Sequence, residues 1–297
     1  MQDQMSRFEI KQAIRKVKLN DLEIGNDTSF HFLTENFNST KPLYALELNI
    51  FNPENSSPVI KNYFKQFNFD KLKMIEIAEN SNCDILGLKF NIDEKFEEIS
   101  KAKELLKTLL PHIKKPLMIR GINKTDIDSI LLPELMNVLD RECIIAFADE
   151  KSYKNIVPKV IEGNHILVIR TPIDINLAKE MNILTTEMGL SANKILMDTD
   201  MGGLGYGLEY GYSIMERIKL AGFDGDKMLN MPIIAFAGEE TLKTKEAKTP
   251  ELSDSWGEIN HRALMFEITA GSAISAAGAN IVVLNHPISI QTLKGLE

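Results

Sequence analysis

Cysteine is scarce in this chain, and its scarcity limits the metal chemistry the chain can support. Only Cys83 and Cys143 occur among 297 residues, and they lie far apart. Two thiolates cannot supply the four cysteine ligands of an ordinary iron–sulfur cluster. Both cysteines begin apolar runs, which predicts buried free thiols and a reducing compartment such as the cytoplasm.

Long apolar stretches and an excess of positive charge are absent too. No apolar run is long enough to cross a bilayer, and the polar segment 1–18 lacks the apolar core of a signal peptide. The formal net charge is −8, and no cluster of Lys and Arg is dense enough to suggest a nucleic-acid surface. We therefore expect neither a membrane span nor a nucleic-acid partner.

Familiar catalytic motifs are also missing. The sequence contains no HExxH zinc motif, no GxSxG nucleophile turn and no zinc-like spacing of Cys and His. Of five scattered histidines, only His286 follows an apolar run at a position suited to ligand contact. Asp198 and Asp200 are two carboxylates without further ligands, a weak basis for magnesium. We predict no catalytic residue and no metal site.

Short apolar runs alternate with segments of helical periodicity from residue 43 onward. The runs are 43–50, 85–90, 116–119, 143–148, 166–169, 195–197, 232–236 and 281–284. Because they are rich in Ile, Leu and Val without alternation, we expect strands buried on both faces, and such β/α alternation indicates a parallel sheet. Eight repeats favour an α/β fold of the (β/α)8 TIM-barrel type. An open doubly wound sheet is the alternative, weakened by the lack of a G-x-G-x-x-G loop after the first strand.

The chain divides in this interpretation into two parts. Residues 1–42 form a short N-terminal extension, a hairpin or a plug over the barrel bottom, and residues 43–297 form the barrel. The segment 238–256 is a long insertion after the seventh strand, and long loops of this kind are usually functional.

Polar residues stand at the C-terminal ends of all eight predicted strands, where barrel active sites lie. They include Glu47, Lys89, Arg120 and Arg170. The segment 201–207 after the sixth strand has four glycines, which let backbone N–H groups approach a polar ligand closely. The site therefore resembles a polar, glycine-rich floor more than a nucleophile with its base.

Four segments of the second half carry a family resemblance: 171–176 (TPIDIN), 202–210 (GGLGYGLEY), 213–218 (SIMERI) and 225–232 (GDKMLNMP). They resemble the delta (small) subunit of acetyl-CoA decarbonylase/synthase, which in acetogenic bacteria is the small subunit of the corrinoid iron–sulfur protein. The close match covers roughly residues 164–290, and the glycine-rich string joined to YSIMERI is its most specific part.

The resemblance implies a TIM barrel that forms a heterodimer with a large corrinoid iron–sulfur subunit. That partner carries the corrinoid (cobamide) domain and the [4Fe–4S] cluster, and the barrel mouth caps the cobamide. The cobalt shuttles a methyl group from methyltetrahydropterin, through a methyltetrahydropterin methyltransferase, to acetyl-CoA synthase in the reductive acetyl-CoA (Wood–Ljungdahl) pathway of carbon fixation in anaerobes.

Strand-end position and resemblance together give the cofactor-binding residues expected here. They are Arg170, Thr171, Asp198, Thr199, Met201, Gly202, Gly203, Leu204, Gly205, Tyr206, Glu239 and His286.

Two other functions stay open. In one, the barrel is a pterin-dependent methyltransferase that binds methylpterin directly through Asp149, Asn123 and Asp198. In the other, it is a barrel without chemistry that only scaffolds a complex.

Overall fold

A computed structural model describes residues 10–30, 41–93, 96–201 and 207–296 of the chain. The strands are β1 (Val17–Leu19), β2 (Leu22–Ile24), β3 (Leu43–Asn49), β4 (Ile85–Lys89), β5 (Leu117–Arg120), β6 (Ile144–Ala148), β7 (Ile166–Arg170), β8 (Ile195–Asp198), β9 (Ile234–Ala235) and β10 (Ile281–Leu284). The helices are α1 (Pro58–Lys65), α2 (Lys71–Glu79), α3 (Glu98–Leu109), α4 (Thr125–Met136), α5 (Tyr153–Glu162), α6 (Ile175–Glu187), α7 (Leu208–Phe223), α8 (Ala237–Leu242), α9 (Lys245–Lys248), α10 (Ile259–Ala277) and α11 (Pro287–Leu296).

Strands β3 to β10 form one parallel sheet that closes on itself. Its hydrogen-bonded order is β8-β7-β6-β5-β4-β3-β10-β9. The remaining gap is bridged where Met197 of β8 pairs in parallel with Ile233, just before β9, and the Met197 N–H donates to the Pro232 carbonyl at 2.9 Å. The predicted (β/α)8 barrel is therefore confirmed, although the strand expected over 232–236 is reduced to β9.

Helix α5 is among the helices that the sequence analysis did not predict. It contains Pro158, which removes a backbone donor from the helix interior. Four buried side chains nevertheless lie on one face at helical spacing: Tyr153, Ile156, Val157 and Val160. Burying this face outweighs the lost hydrogen bond, since each such side chain contributes about 1.5–3 kcal/mol.

An antiparallel hairpin of β1 and β2 lies at the N-terminal end of the barrel. Val17, Leu19 and Ile24 are fully buried in the same apolar cluster as Ala45 and Ile281, which point into the barrel from β3 and β10. The hairpin thus covers the bottom of the barrel interior. Residues 1–9 and 31–40 lie outside the described part of the chain, and the division at residue 42 stays a prediction.

A buried ion pair fixes the segment after the hairpin to the barrel. The Lys219 ammonium on α7 lies 2.9 Å from an Asp27 carboxylate oxygen and donates to the Gly278 carbonyl at 2.9 Å. The Asn280 amide donates to the same Asp27 oxygen at 2.5 Å. Asn280 directly precedes β10, so the N-terminal segment is bonded to the last strand of the sheet.

Helix length and composition bear on the membrane prediction. Across residues 10–30, 41–93, 96–201 and 207–296, the structure has no helix that is both long and apolar enough to span a bilayer.

Candidate functional site at the barrel mouth

The barrel interior is apolar along most of its length, but it is lined by charged side chains near the C-terminal ends of the strands. On three strands a charged residue follows an interior apolar residue by two positions. The pairs are Ala45 and Glu47 on β3, Met118 and Arg120 on β5, and Val168 and Arg170 on β7. Because every second side chain of a strand points to the same face, these groups share the interior with the apolar layer beneath them. Lys89 and Asp198 complete this charged layer, and the uncharged Asn285 lies beside it. The C-terminal mouth therefore has a floor of buried ionisable groups.

Arg120 is the centre of the charged layer and has no solvent exposure. Its Nη1 lies 2.7 and 3.0 Å from the two Glu47 oxygens. Its Nη2 forms an ion pair with Glu239, and Glu239 also lies 2.9 Å from Lys89 Nζ and 2.7 Å from Lys243 Nζ. One carboxylate of the α8 insertion thus holds three cations.

Electrostatics in this group favour the charged forms of most members. Burial alone raises the pKa of Glu239, but Arg120, Lys89 and Lys243 outweigh it and hold that pKa well below the ordinary value. The pKa of Arg120 is raised, since Glu239 and Glu47 together outweigh its desolvation. Lys89 is the exception: burial and the nearby Arg120 charge lower its pKa.

A second ion pair stands beside the first and is separated from it by two aromatic rings. Arg170 Nε donates to an Asp198 oxygen at 2.6 Å. The Arg170 guanidinium carbon lies 3.4 Å from the centroid of the Phe147 ring, and Arg120 lies 4.7 Å from the same ring and 4.6 Å from Phe236. The rings therefore keep two buried guanidinium groups apart while interacting with both.

Phe147 reaches the interior because β6 carries a register shift. Ala146 pairs with Val168 and Ala148 with Ile169, which leaves Phe147 as an extra residue. A bulge of this kind re-aims a side chain, and both Ala146 and Phe147 belong to the interior cluster.

The expected residues around β7 and β8 are close together but buried. Thr171 and Thr199 are at most 1% exposed, and the Thr199 hydroxyl has no hydrogen-bond partner among the described residues. Met201 is buried in the apolar layer between strands and helices. Gly202, Gly203, Leu204, Gly205 and Tyr206 lie outside the described residues. Gly207, which directly precedes α7, has a φ of +92°, a conformation that suits glycine.

His286 lies apart from the charged layer, behind the end of β10. It is 3% exposed, and its ring meets that of Tyr63 edge-on at 4.7 Å between centroids. Its Nδ1 accepts from the Ile288 N–H at 3.2 Å, and burial lowers its pKa to about 4. The structure therefore does not bring His286 together with Arg170 or Glu239.

A buried carboxylic acid on α10 stands next to the end of β10. Glu267 accepts from the Asn285 N–H at 2.6 Å and from the Ser289 hydroxyl at 2.5 Å. Burial raises its pKa to about 7. Sequence reasoning missed Glu267, although a signal existed: it interrupts a stripe of buried apolar residues (Ala263, Ala270, Ile274) at helical spacing.

Phe147, Phe236 and Lys243 were also missed by the sequence analysis. Two phenylalanines in apolar strands look like ordinary core residues, so no sequence signal marks them. Lys243 caps the C-terminal end of α8 and follows Glu239 by four residues, a spacing that places both on one helix face and that could have suggested the pair.

Asp149, one of the residues expected to bind a pterin, is engaged by contacts within the chain. One Asp149 oxygen accepts from the Thr125 hydroxyl at 2.7 Å, and the other accepts from the N–H and hydroxyl of Ser152, each at 2.7 Å. Asp149, Asn123 and Arg170 border a pit of only about 10 Å³, which has room for about one water molecule.

A larger cleft opens on the other side of the mouth. It has a volume of about 550 Å³ and lies between the ends of β3, β4 and β10, the start of α1 and the α8–α9 insertion. Its lining includes Asn49, Lys89, Glu239, Lys243 and Asn285. The cleft is therefore continuous with the charged layer.

Sequence comparison gives one family for this chain. Residues 16–264 match the model of the CO dehydrogenase/acetyl-CoA synthase delta subunit. The acetyl-CoA decarbonylase/synthase complex subunit delta of Methanocaldococcus jannaschii is 31% identical over 198 residues, 65% of this chain and 48% of that protein. Subunit delta 2 of Methanosarcina acetivorans is 29% identical over 229 residues, covering 73% and 52%. The chain thus spans about half the length of the curated relatives it matches.

Structural comparison gives the same architecture at low sequence identity. A dihydropteroate synthase from Coxiella burnetii, solved with pteroic acid, superposes with a TM-score of 0.58 at 12% identity, covering 96% of this chain and 97% of that one. The Yersinia pestis enzyme gives 0.59 at 10% identity, covering 95% and 97%. At these identities the likeness shows the fold alone. The family match extends over most of the chain, and we conclude that this protein belongs to the delta subunit family of CO dehydrogenase/acetyl-CoA synthase.

Proposed function

We propose that the barrel mouth caps a cobamide held by a large corrinoid iron–sulfur subunit, and that the chain itself is not the catalyst. The observation that carries this proposal is the pairing of the ionisable groups in the charged layer. Glu47, Arg120 and Glu239 bond to one another, and Arg170 bonds to Asp198. Groups engaged in this way form a fixed polar surface, whereas a nucleophile and its base must face a substrate.

The mouth also offers unused hydrogen-bonding atoms that suit a corrin ring edged with amide groups. Arg170 Nη1, Thr199 Oγ1, Asn49 Oδ1 and Asn285 Oδ1 are buried and have no hydrogen-bond partner among the described residues. Buried polar atoms are normally satisfied, so these atoms are suited to a bound group. When bound, a cobamide supplies a cobalt that carries a methyl group, and this chain would bind, orient and shield it from water.

The two cysteines do not fit the iron–sulfur cluster. Both are buried free thiols, and burial raises the pKa of Cys143 to about 12, so that thiol resists the deprotonation that iron ligation needs. We assign the [4Fe–4S] cluster to the partner subunit only. A methyltetrahydropterin methyltransferase and acetyl-CoA synthase are the proposed further partners, and buried free thiols suit the cytoplasm.

The competing function, direct methylpterin binding, requires free hydrogen-bonding groups at Asp149 and Asp198. Asp149 is engaged by Thr125 and Ser152, and Asp198 accepts from Arg170 at 2.6 Å and from the Asp200 N–H at 3.0 Å. These contacts favour the capping role.

The decisive experiment compares the chain alone with the chain co-expressed with a large corrinoid subunit. We expect the chain alone to be colourless and a one-to-one complex to show corrinoid absorption. A second arm supplies the chain alone with methyltetrahydropterin and free cobalamin, where we expect no methyl transfer. Stoichiometric corrinoid on the isolated chain, or saturable methyl transfer by it, would replace the capping role with the enzymatic one.

The glycine-rich segment is tested in the same complex. Replacing Gly203 with a bulky residue should weaken the shielding of cobamide and speed cobalt oxidation. The Gly295→Ala complex is the control, because Gly295 lies in α11 and an added methyl group there meets no atom within 4 Å. Unchanged oxidation kinetics would remove the segment 202–206 from the proposed site.

A further inference from the structure

Two neighbouring helices on the outer wall of the barrel, α10 and α11, have little charge. The segment 268–293 contains no Asp, Glu, Lys or Arg, although these residues make up 26% of the chain. Arg262 and Glu267 of α10 are buried. Lys294 of α11 is bonded to Asp84 at 2.6 Å. Because a helix on a protein surface normally turns charged or polar residues to water, the outer faces of these two helices need a separate explanation.

The residues that the two helices expose recur at helical spacing. They include Met265, Thr269 and Ser272 on α10, and Ile288 and Gln291 on α11. Steps of three and four residues place each set on one face of its helix. The helices are closely packed, because a methyl group added at Gly271 of α10 would meet the Leu293 side chain of α11 at 2.9 Å. The two faces therefore form one continuous uncharged surface, which we call the α10–α11 face.

Charged side chains border the α10–α11 face. Helices α7 and α1 both pack against α10. Helix α7 exposes Glu209 and Arg217, and α1 exposes Lys61 and Lys65. A neutral patch with a charged rim is the usual layout of a surface that binds another protein.

The chemistry of this face is complementary to itself. The hydroxyl groups of Thr269 and Ser272 and the amide of Gln291 can each donate and accept hydrogen bonds, so identical residues can pair across a two-fold axis. Met265 and Ile288 are 46% and 44% exposed and supply apolar contact area. The chain has a formal net charge of −8, so two copies repel each other least where neither presents a charge.

The dimensions of the face suffice for a dimer. Helices α10 and α11 have 19 and 10 residues, and at about 1.5 Å per residue and a width of about 10 Å they outline about 430 Å². The 16 residues of α7 add about 240 Å² as a rim. A symmetric dimer would bury about 1,300 Å² in total, above the roughly 1,000 Å² expected of a specific interface.

We propose that the α10–α11 face joins two copies of this chain about a two-fold axis. The same patch then serves both copies, as in most homodimers. The two helices lie on the outer wall, whereas the charged layer and the cleft lie at the C-terminal ends of the strands. Both barrel mouths therefore stay open in the dimer, and the inference does not depend on the capping function.

Analytical ultracentrifugation of the full chain tests the dimer. Because the interface is small, we expect monomers at about 1 µM and mainly dimers at about 100 µM. Thr269→Glu brings two like charges together at the interface and should weaken dimerisation about tenfold or more. Thr108→Glu is the matched control, because it makes the same change on the exposed, already charged face of α3, and it should leave dimerisation unchanged. Thermal melts check that both variants are folded.

Methionine oxidation by hydrogen peroxide tests the same face without any substitution. Met265 is 46% exposed, and Met188, at the C-terminal end of α6, is 37% exposed. Both should therefore oxidise readily in the monomer. At the higher protein concentration we expect Met265 to oxidise several-fold more slowly, and Met188 to keep its rate, when the products are measured by mass spectrometry.

The outcomes separate this inference from the proposed function. A dimer that Thr269→Glu disrupts and Thr108→Glu keeps, with Met265 protected, supports it. A monomer at the higher concentration, a dimer that both variants keep, or equal oxidation of Met265 at both concentrations overturns it. If Met265 is protected only in the complex with a large corrinoid subunit while the isolated chain stays monomeric, the face belongs to that partner. The second-copy inference then falls, and the capping function stands.

Discussion

Arg120 and Glu47 form an ion pair across the barrel interior, with Nη1 of the arginine 2.7 and 3.0 Å from the two carboxylate oxygens. They come from β5 and β3, which are separated by β4 in the sheet. Neither side chain is more than 1% exposed. A charge pair so placed fixes the distance between strands at the mouth, where a ligand would meet them.

Removing one charge of this pair should destabilise the fold strongly. In Glu47→Gln, Arg120 keeps Glu239 but loses its fully buried partner. Because Glu239 alone must then balance three cations, we expect a loss of about 3 kcal/mol in the free energy of unfolding, measured by urea denaturation. Glu76→Gln is the control, since its pair with Lys73 is exposed and should contribute less than about 0.5 kcal/mol. Similar losses in both variants would show that burial of the pair is unimportant.

The aromatic rings between Arg120 and Arg170 should contribute to stability at least as much as the Glu47–Arg120 ion pair. Phe147→Ala leaves a cavity and removes the ring that contacts both guanidinium groups, so we expect a loss of about 3–5 kcal/mol in the free energy of unfolding. Phe96→Ala is the matched control, because Phe96 is 56% exposed and should change stability by less than about 0.5 kcal/mol. If the two variants unfold at the same urea concentration, the ring has no such role.

Glu267 should give the protein a distinctive dependence on pH. Burial raises its pKa from an ordinary 4.5 to about 7, so the folded state keeps a proton that the unfolded state has lost. The stabilisation is complete below pH 4.5, declines as pH rises, and is gone above pH 7, in total about 3 kcal/mol. Glu267→Gln cannot titrate, so the wild type should lose this amount relative to the variant between pH 4.5 and 8. Parallel stability curves would contradict the assignment.

His286 should make stability depend on pH in the direction opposite to Glu267, over a pH range that overlaps with that of Glu267. Burial lowers its pKa from 6.5 to about 4, so the folded state holds fewer protons in between. Its contribution is complete above pH 6.5 and is lost as pH falls through 4, by about 3 kcal/mol. In His286→Asn, which keeps an acceptor for the Ile288 N–H, the acid loss of stability should shrink by that amount. An unchanged acid limb in urea denaturation would exclude His286 as its source.

The Lys219–Asp27 pair predicts local opening of the N-terminal segment. Lys219→Met leaves Asp27 buried without its cation, so backbone bonds such as Ile14 N–H to the Asp27 carbonyl should open more often. We expect the Ile14 and Asn26 amides to exchange hydrogen about 100-fold faster, corresponding to about 3 kcal/mol. Amides of β4 should keep their rates. Lys179→Met, which removes an exposed pair with Asp226, should alter neither set, and slow exchange at Ile14 in Lys219→Met would refute the role.

Much of the barrel could be predicted because its strands are apolar on both faces and its helices amphipathic. The runs at Ile85 and Ile281 begin where strands begin, and Gly278 ends α10 with a φ of +108°. Helix α5 escaped prediction because Pro158 argues locally against the buried face that forms it. At α5, packing of the apolar face against the sheet outweighs the local conformational preference of the sequence.

The location of the site residues could be predicted from the sequence, but most of the ion pairs between them could not. That Arg170, Asp198 and Glu239 stand near the mouth follows from strand order alone. That Glu239 holds Arg120 and Lys89 depends on how the α8 insertion folds back over the barrel, which no local pattern encodes. The role of segment 202–206 stays a prediction.

The hairpin of β1 and β2 affects the order in which the protein folds during synthesis. Val17, Leu19 and Ile24 reach their final environment only when Ile281 and Val283 complete the ring of interior side chains, and Asp27 bonds to Asn280, which directly precedes β10. Because β10 is synthesised after the whole of the sheet from β3 to β9, the hairpin must wait for that strand. During synthesis on the ribosome its apolar side chains remain exposed, which makes that interval the stage at which a chaperone would be needed most.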